Sequence, residues 1–313
     1  MAEAIALIGC KGPAQEAEYL DVLAAAMPEE RIVPFRLLDG AERDAARVAI
    51  VANPDPAEVA ALPGLVWVQS LWAGVERLVN AFDRPLPIVR LVDREMARTM
   101  AEAVLAWTYY LQRDMPAYAR QQRAGIWRPH PYRKPADTIV GLLGLGALGI
   151  AAAERLRGAG FRVTGWSRSP KAVPGIEAEH GLEALPAMLG RCDILVCLVP
   201  LTPETRGLIN AERLAALKPG AALINFARGP IVVTADLIAA LESGHLAHAV
   251  LDVFEVEPLP AESPLWSHPG VTVLPHISGP TDMPSAAATV ASNLRDYRRT
   301  GQPPRGIDTA RGY

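Results

Sequence analysis

The nine residues GLLGLGALG place Gly144, Gly146 and Gly149 in a GxGxxG spacing, directly after an apolar run and at the head of a helix pattern. Alone the spacing is weak, but between a strand and a helix each glycine has a task in holding a dinucleotide pyrophosphate. Gly144 would make the tight turn, Gly146 would let the phosphates approach the backbone, and Gly149 would let helix and strand pack closely. Ala147 and Leu148 open the helix, whose first N–H groups attract an anion. A protein specific for NAD places an acidic residue at the end of the second strand, where it binds the ribose 2′-hydroxyl. Here FRVTGW is followed by Ser167 and Arg168. A hydroxyl and a guanidinium suit a 2′-phosphate, which a carboxylate would repel. The expected cofactor is therefore NADPH, with NADH possible but weaker. A solvated loop arginine beside a site that accepts either cofactor is the other reading of Arg168.

Three more residues have types that could do chemistry. Arg228 follows the apolar run ALINFA beside Gly229, at a strand end where doubly wound folds place ligands. Glu257 precedes Pro258, and His276 follows VTVLP. Taken singly, each also has an ordinary structural reading: a salt-bridging arginine, a solvated loop carboxylate, a satisfied core histidine. His245 and His248, three apart in GHLAH, lack a Cys or carboxylate partner at a ligand spacing. They read as a surface turn, and no metal is expected.

These residues need a scaffold, and the rest of the chain supplies the pattern for one. With 313 residues the chain exceeds the usual size of a single core, so two domains are expected. From Ala4 to about Arg98, the runs AIALIG, RVAIVAN, LVWVQS and PIVRLV alternate with the helix-length stretches QEAEYLDVLAAAM and PAEVAAL, as in a small α/β domain with a mostly parallel sheet. One long helix is expected from Met100 to about Gly125, followed by the loop IWRPHPYRKPAD. From Thr138 the alternation restarts with six strand patterns: TIVGLLGLG, FRVTGW, DILVCLV, AALINFA, HAVLDVF and VTVLP. That makes a full doubly wound sheet. The last helix pattern, PSAAATVASNLRDYRR, could fold back onto the first domain. The expected organisation is a dinucleotide-binding domain over 99–281, inserted in a discontinuous substrate domain over 1–98 and 282–313.

A formal net charge of −3 with no Lys/Arg block gives no footprint for nucleic acid, so small molecules are the expected partners. Cys10, Cys192 and Cys197 have neither disulfide-framework nor metal-ligand spacing and read as reduced core residues. No run approaches the ~20 apolar residues of a membrane span. The start MAEAIALIGC has no basic leader and reads as a first strand, so a cytoplasmic setting is expected.

The motifs GLLGLGALG, INFARGPIVV, LDVFEVEPLP and VLPHISG, in that order, resemble those of the D-isomer-specific 2-hydroxyacid dehydrogenases. WSRSPK, ESPLWSHP and the terminal ARGY make the resemblance closest to the glyoxylate/hydroxypyruvate reductase A group. The resemblance implies two doubly wound α/β domains, a Rossmann domain inserted in a flavodoxin-like one, and a homodimer joined through the long helix. It implies that Arg228 binds the substrate carboxylate, with backbone around Ala73, Gly74 and Val75 helping, and that Glu257 and His276 transfer the proton. It also implies that Pro200 lines the cofactor site and that Asp252 contacts the nicotinamide carboxamide. The chemistry suits those types. A 2-keto acid presents a planar carboxylate that arginine can hold with two parallel bonds, and a carboxylate beside His276 stabilises the imidazolium that gives its proton to the carbonyl oxygen. Glu257, rather than the Gln of formate dehydrogenases, disfavours formate oxidation. The continuation ISGP, at Ser278, Gly279 and Pro280, departs from the family's Ala-rich one and leaves a bulkier keto acid open. A dinucleotide-sensing corepressor of the same fold is the non-enzymatic alternative.

Overall fold

A computed structural model describes residues 3–308 except 80 and 83; the terminal ARGY lies outside the described residues. The chain divides into two compact units, Met1–Met96 with Thr281–Tyr313, and Ala97–Pro280. The first unit holds strands β1 (Ala4–Ile8), β2 (Arg31–Pro34), β3 (Val48–Val51), β4 (Trp67–Ser70) and β5 (Ile88–Val89), with helices α1 (Pro13–Ala26), α2 (Gly40–Ala45) and α3 (Pro56–Ala60). All strand pairs are parallel, in the order β2-β1-β3-β4-β5. This is the flavodoxin-like order. The four apolar runs read from the sequence are β1, β3, β4 and β5. The fifth strand, RIVP, lies at the sheet edge with an exposed first residue and so lacked a long apolar run.

The second unit opens with α4 (Arg94–Gln112), whose first residues belong to the first unit, and α5 (Met115–Arg123). The single helix expected over Met100–Gly125 is thus two. Asp114 adopts a left-handed φ of 54°, and Pro116, which has no N–H to donate, sits in the first turn of α5. Then follow β6 (Ile139–Leu143), α6 (Ala147–Gly158), β7 (Arg162–Ser167), β8 (Glu177–His180), α7 (Leu185–Leu189), β9 (Ile194–Cys197), α8 (Ala211–Ala215), β10 (Ala221–Asn225), α9 (Thr234–Glu242), β11 (Leu246–Leu251) and β12 (Val271–Val273). The order β12-β11-β10-β9-β6-β7-β8, parallel throughout, is doubly wound about β6. The sequence showed six of these strands. The seventh, EAEH, is an edge strand whose Glu177 and Glu179 pair with Arg191 at 3.1 and 3.0 Å, so charge conceals its period. Val140, Leu142, Val196, Ile224 and Val250 pack one face of the sheet against α4 and α6. Leu143, Leu195, Leu223 and Leu251 pack the other against α7 and α9. Cys192 and Cys197 are free and buried, and burial pushes both thiols up to about 12.

GHLAH is not wholly a surface turn. His248 lies inside β11, 5 % exposed, with Nε2 2.8 Å from Thr272 Oγ1. Desolvation first, then the charges of Arg120 and His268, push its pKa down to about 4. The fold favours the neutral ring. Its contribution to stability is therefore present above the unfolded value of ~6.5 and lost as pH falls from there toward 4, by about 3 kcal/mol in all. Urea midpoints should fall less steeply over that interval in His248→Gln than in the parent chain. Equal slopes would refute this account.

The last described helix, α10 (Met283–Thr300), belongs to the first unit. Asp282 caps it, accepting the Ser285 N–H at 2.9 Å, and Gly301 ends it at a φ of 69°. Ala287, Val290, Ala291 and Leu294 form one face packed against Tyr19, Leu23 and Trp67. Asn293 Nδ2 donates to the buried Gln69 Oε1 at 2.8 Å. Among the described residues no helix is long and apolar enough to cross a membrane.

Candidate active site

Parallel strands bring every loop that follows a strand to the same edge of a sheet, and in the second unit that edge gathers the residues singled out above. After β6 the chain turns at Gly144, φ +114°, where a Cβ would lie 2.9 Å from the carbonyl of Leu198 beyond β9. Only glycine fits that turn. A Cβ on Gly149 would lie 1.9 Å from the Gly144 carbonyl oxygen, so α6 packs against the turn itself. Gly146 differs, because a Cβ there would meet nothing within 4 Å. It precedes α6, whose N-terminus has no side-chain cap, and Gly146 and Ala147 are exposed while Leu148 is half-buried. Uncapped N–H groups facing open space fit a diphosphate.

At the end of β7, Ser167 is buried and its hydroxyl donates to the Ser169 carbonyl at 2.6 Å, whereas Arg168 is exposed. No acidic residue stands at that strand end. After β9, the Pro200 carbonyl accepts from Thr205 Oγ1 at 2.7 Å, which fixes the loop. In that loop the Thr202 hydroxyl and a backbone N–H, with a contribution from the Arg168 charge, hold the Glu204 carboxyl below its ordinary range.

The loops after β10, β11 and β12 carry the remaining groups. Asn225 accepts the Ala227 N–H at 3.2 Å and donates to the Arg228 carbonyl at 3.0 Å, so one side chain fixes the turn that presents Arg228. Arg228 is half-buried and its Nη1 donates to the Ala227 carbonyl at 2.7 Å. A Cβ on Gly229 would lie 2.0 Å from the Phe254 carbonyl carbon, so the loops after β10 and β11 meet backbone to backbone. Glu257 Oε1 accepts the Phe254 N–H at 2.9 Å, and its Oε2 lies 2.8 Å from His276 Nδ1. With Nδ1 on the carboxylate, Nε2 is left as the ring atom for a reacting group. Asp252, 1 % exposed, accepts the N–H groups of Ile277 and Ser278 at 2.7 and 2.9 Å. His276 itself has a φ of +55°.

Stability does not explain this arrangement. The His276 and Glu257 side chains keep 48 % and 35 % exposure, and such a pair contributes at most ~1 kcal/mol. A left-handed backbone at a non-glycine residue costs ~1–2 kcal/mol. A constrained imidazole on a carboxylate is an arrangement that can carry out proton transfer.

The structure therefore groups Gly144, Gly146, Ala147, Leu148, Gly149, Ser167, Arg168, Pro200, Arg228, Asp252, Glu257 and His276 at the strand C-termini of the second unit. Ala73, Gly74 and Val75 lie in the first unit, just after β4, at the corresponding end of its own sheet. Sequence reasoning missed the Phe254 N–H that holds Glu257 and the bridging role of Asn225. The signal for Asn225 was a polar side chain closing an apolar strand. A backbone donor leaves none.

Residues 105–278 match the sequence profile of the D-isomer specific 2-hydroxyacid dehydrogenase NAD binding domain. A D-isomer specific 2-hydroxyacid dehydrogenase from Xanthobacter autotrophicus Py2, solved with NADPH and MES, is 44 % identical over 100 % of both chains, with a TM-score of 0.93. An NADPH-dependent glyoxylate/hydroxypyruvate reductase from Sinorhizobium meliloti, solved with NADP and sulfate, is 35 % identical over 99 % of this chain and 100 % of its own, with a TM-score of 0.90. A family protein from Klebsiella pneumoniae 342 is 36 % identical over 98 % of this chain and 97 % of its own, with a TM-score of 0.87. With a Rossmann sheet, a glycine turn open to a diphosphate and this likeness over the whole length, the chain belongs to the D-isomer specific 2-hydroxyacid dehydrogenases.

Proposed function

We propose that the chain reduces small 2-keto acids, with glyoxylate and hydroxypyruvate as the expected substrates and NADPH as the electron donor. The observation that carries this reading is His276 Nδ1 held 2.8 Å from Glu257 on the same sheet edge as the open glycine turn. Keto acid, NADPH and one proton give hydroxy acid and NADP. When bound, the cofactor supplies the hydride. The chain supplies the rest. N–H groups after Gly146 hold the pyrophosphate and Arg168 the 2′-phosphate, while Pro200 borders the site. Arg228 binds the keto acid carboxylate. His276 gives its proton to the carbonyl oxygen as negative charge develops there, and Glu257 orients the ring through Nδ1.

The working form in this reading is a cytoplasmic homodimer. The support for the dimer is the fully exposed Trp127 next to the exposed Ile126, apolar groups of the loop after α5 that a second subunit would cover. Light scattering on the purified chain should give twice the monomer mass.

The direct test is turnover with a panel of 2-keto acids, each with NADPH and NADH. NADPH should give the higher kcat/KM, and Arg168→Ala should lower that value for NADPH while leaving NADH nearly unchanged. Cofactor binding without oxidation by any keto acid would overturn the enzymatic reading in favour of a dinucleotide sensor. A clear NADH preference would overturn the role of Arg168.

A further inference from the structure

We propose that Asp252 is a positioning residue for His276, holding the imidazole on Glu257 by clamping the two peptide groups that follow the histidine. The proposal rests on the reading of His276 as proton donor. Asp252 directly follows β11 and is 1 % exposed. A carboxylate that deep is tolerated where donors meet it, and here both donors come from consecutive residues, Ile277 to Oδ1 at 2.7 Å and Ser278 to Oδ2 at 2.9 Å. One side chain thus grips one short length of backbone at two points.

The residue just before that length is His276, at φ +55°. A side chain larger than glycine's stays in the left-handed region only where its surroundings enforce it. If the clamp is released, φ relaxes to negative values and the Cα–Cβ bond swings, which carries the ring off Glu257 Oε2. The opposite partner is fixed from the same stretch of chain. Phe254, two residues beyond Asp252, donates its N–H to Glu257 Oε1 at 2.9 Å. The end of β11 therefore sets both halves of the pair, the histidine through its backbone and the glutamate through its carboxylate. This role differs from a contact between Asp252 and the cofactor, and the two are separable by measurement.

The test uses the full chain with Asp252→Asn, which keeps the shape and one acceptor, and Asp252→Ala. Amide hydrogen exchange at Ile277 and Ser278 should quicken about tenfold in the Asn variant, the equivalent of one lost hydrogen bond, and more in Ala. With glyoxylate, kcat should fall about 100-fold, the scale of a misplaced catalytic group, while KM and the NADPH Kd by fluorescence stay close to those of the parent. Unchanged exchange at the two amides would overturn the proposal. So would kcat near the parent value despite faster exchange, or an activity loss matched by a loss of NADPH affinity. If the Ala variant does not fold, the Asn variant decides. If the parent chain reduces no keto acid, the function proposed above fails, and the exchange measurement still decides the clamp.

Discussion

Replacing His276 with alanine is expected to lower kcat for keto acid reduction by about 100- to 10,000-fold, the usual contribution of a positioned general acid. Hydride arrival places a full charge on the carbonyl oxygen, and alanine leaves water to supply the proton. The fold should be almost indifferent. The His276–Glu257 pair is half exposed, so its loss removes at most ~1 kcal/mol, and alanine inherits the same left-handed backbone. A melting temperature within a few degrees of the parent would separate lost chemistry from lost structure. Reduction consumes a proton and needs the ring protonated, so kcat/KM for reduction should fall as pH rises, and the oxidation of the hydroxy acid should rise. Glu257→Gln keeps a hydrogen-bond acceptor for Nδ1, and should therefore lower kcat less than His276→Ala does. A His276→Ala variant within a few-fold of the parent, or a parallel pH response in the two directions, would refute the assignment.

How far this site could be read from the sequence depended on whether each signal was local. The glycine turn was legible because its three glycines, the strand before and the helix after all lie in GLLGLGALG. Arg228 announces itself as a charged residue at the end of an apolar strand, whereas Asp252 came only through the family resemblance. The contact between Glu257 and His276 spans 19 residues and exists because β11 and β12 are neighbours in the sheet, a fact of tertiary pairing that no period of hydrophobicity encodes. His276's left-handed backbone is equally hidden, since glycine would have flagged it, whereas histidine adopts that region only in a minority of cases. Among the elements, β8 escaped because an edge strand of alternating Glu and Ala or His needs no apolar face. The break between α4 and α5 escaped because the periodicity runs on across Asp114, and Pro116 was the only mark of a stop. His248 reads as a turn residue until β11 is seen to begin at Leu246.

The second large effect is expected at Arg228. Arg228→Ala should lower kcat/KM for glyoxylate by at least ~100-fold, because two charge-assisted hydrogen bonds to a carboxylate, at ~1.5–3 kcal/mol each, are lost together and each 1.4 kcal/mol is tenfold. Arg228→Lys should recover only part of this, since an ammonium keeps the charge but not the planar fork that fixes which face of the carbonyl is presented. Arg228→Ala also removes the bond from Nη1 to the Ala227 carbonyl, but Asn225 still holds the turn through the Ala227 N–H and the Arg228 carbonyl, backbone groups that neither substitution removes. Gly229 presses against Phe254 in every variant. A disturbed loop would also disturb Glu257 and lower turnover of all substrates alike, whereas loss of a carboxylate anchor falls on keto acids alone. The parent should therefore prefer glyoxylate strongly over a simple aldehyde of similar size, and Arg228→Ala should erase most of that preference while its slow aldehyde reduction persists. If Lys restores full kcat/KM, or if Ala slows aldehyde and keto acid by the same factor, Arg228 acts on the loop rather than on the substrate.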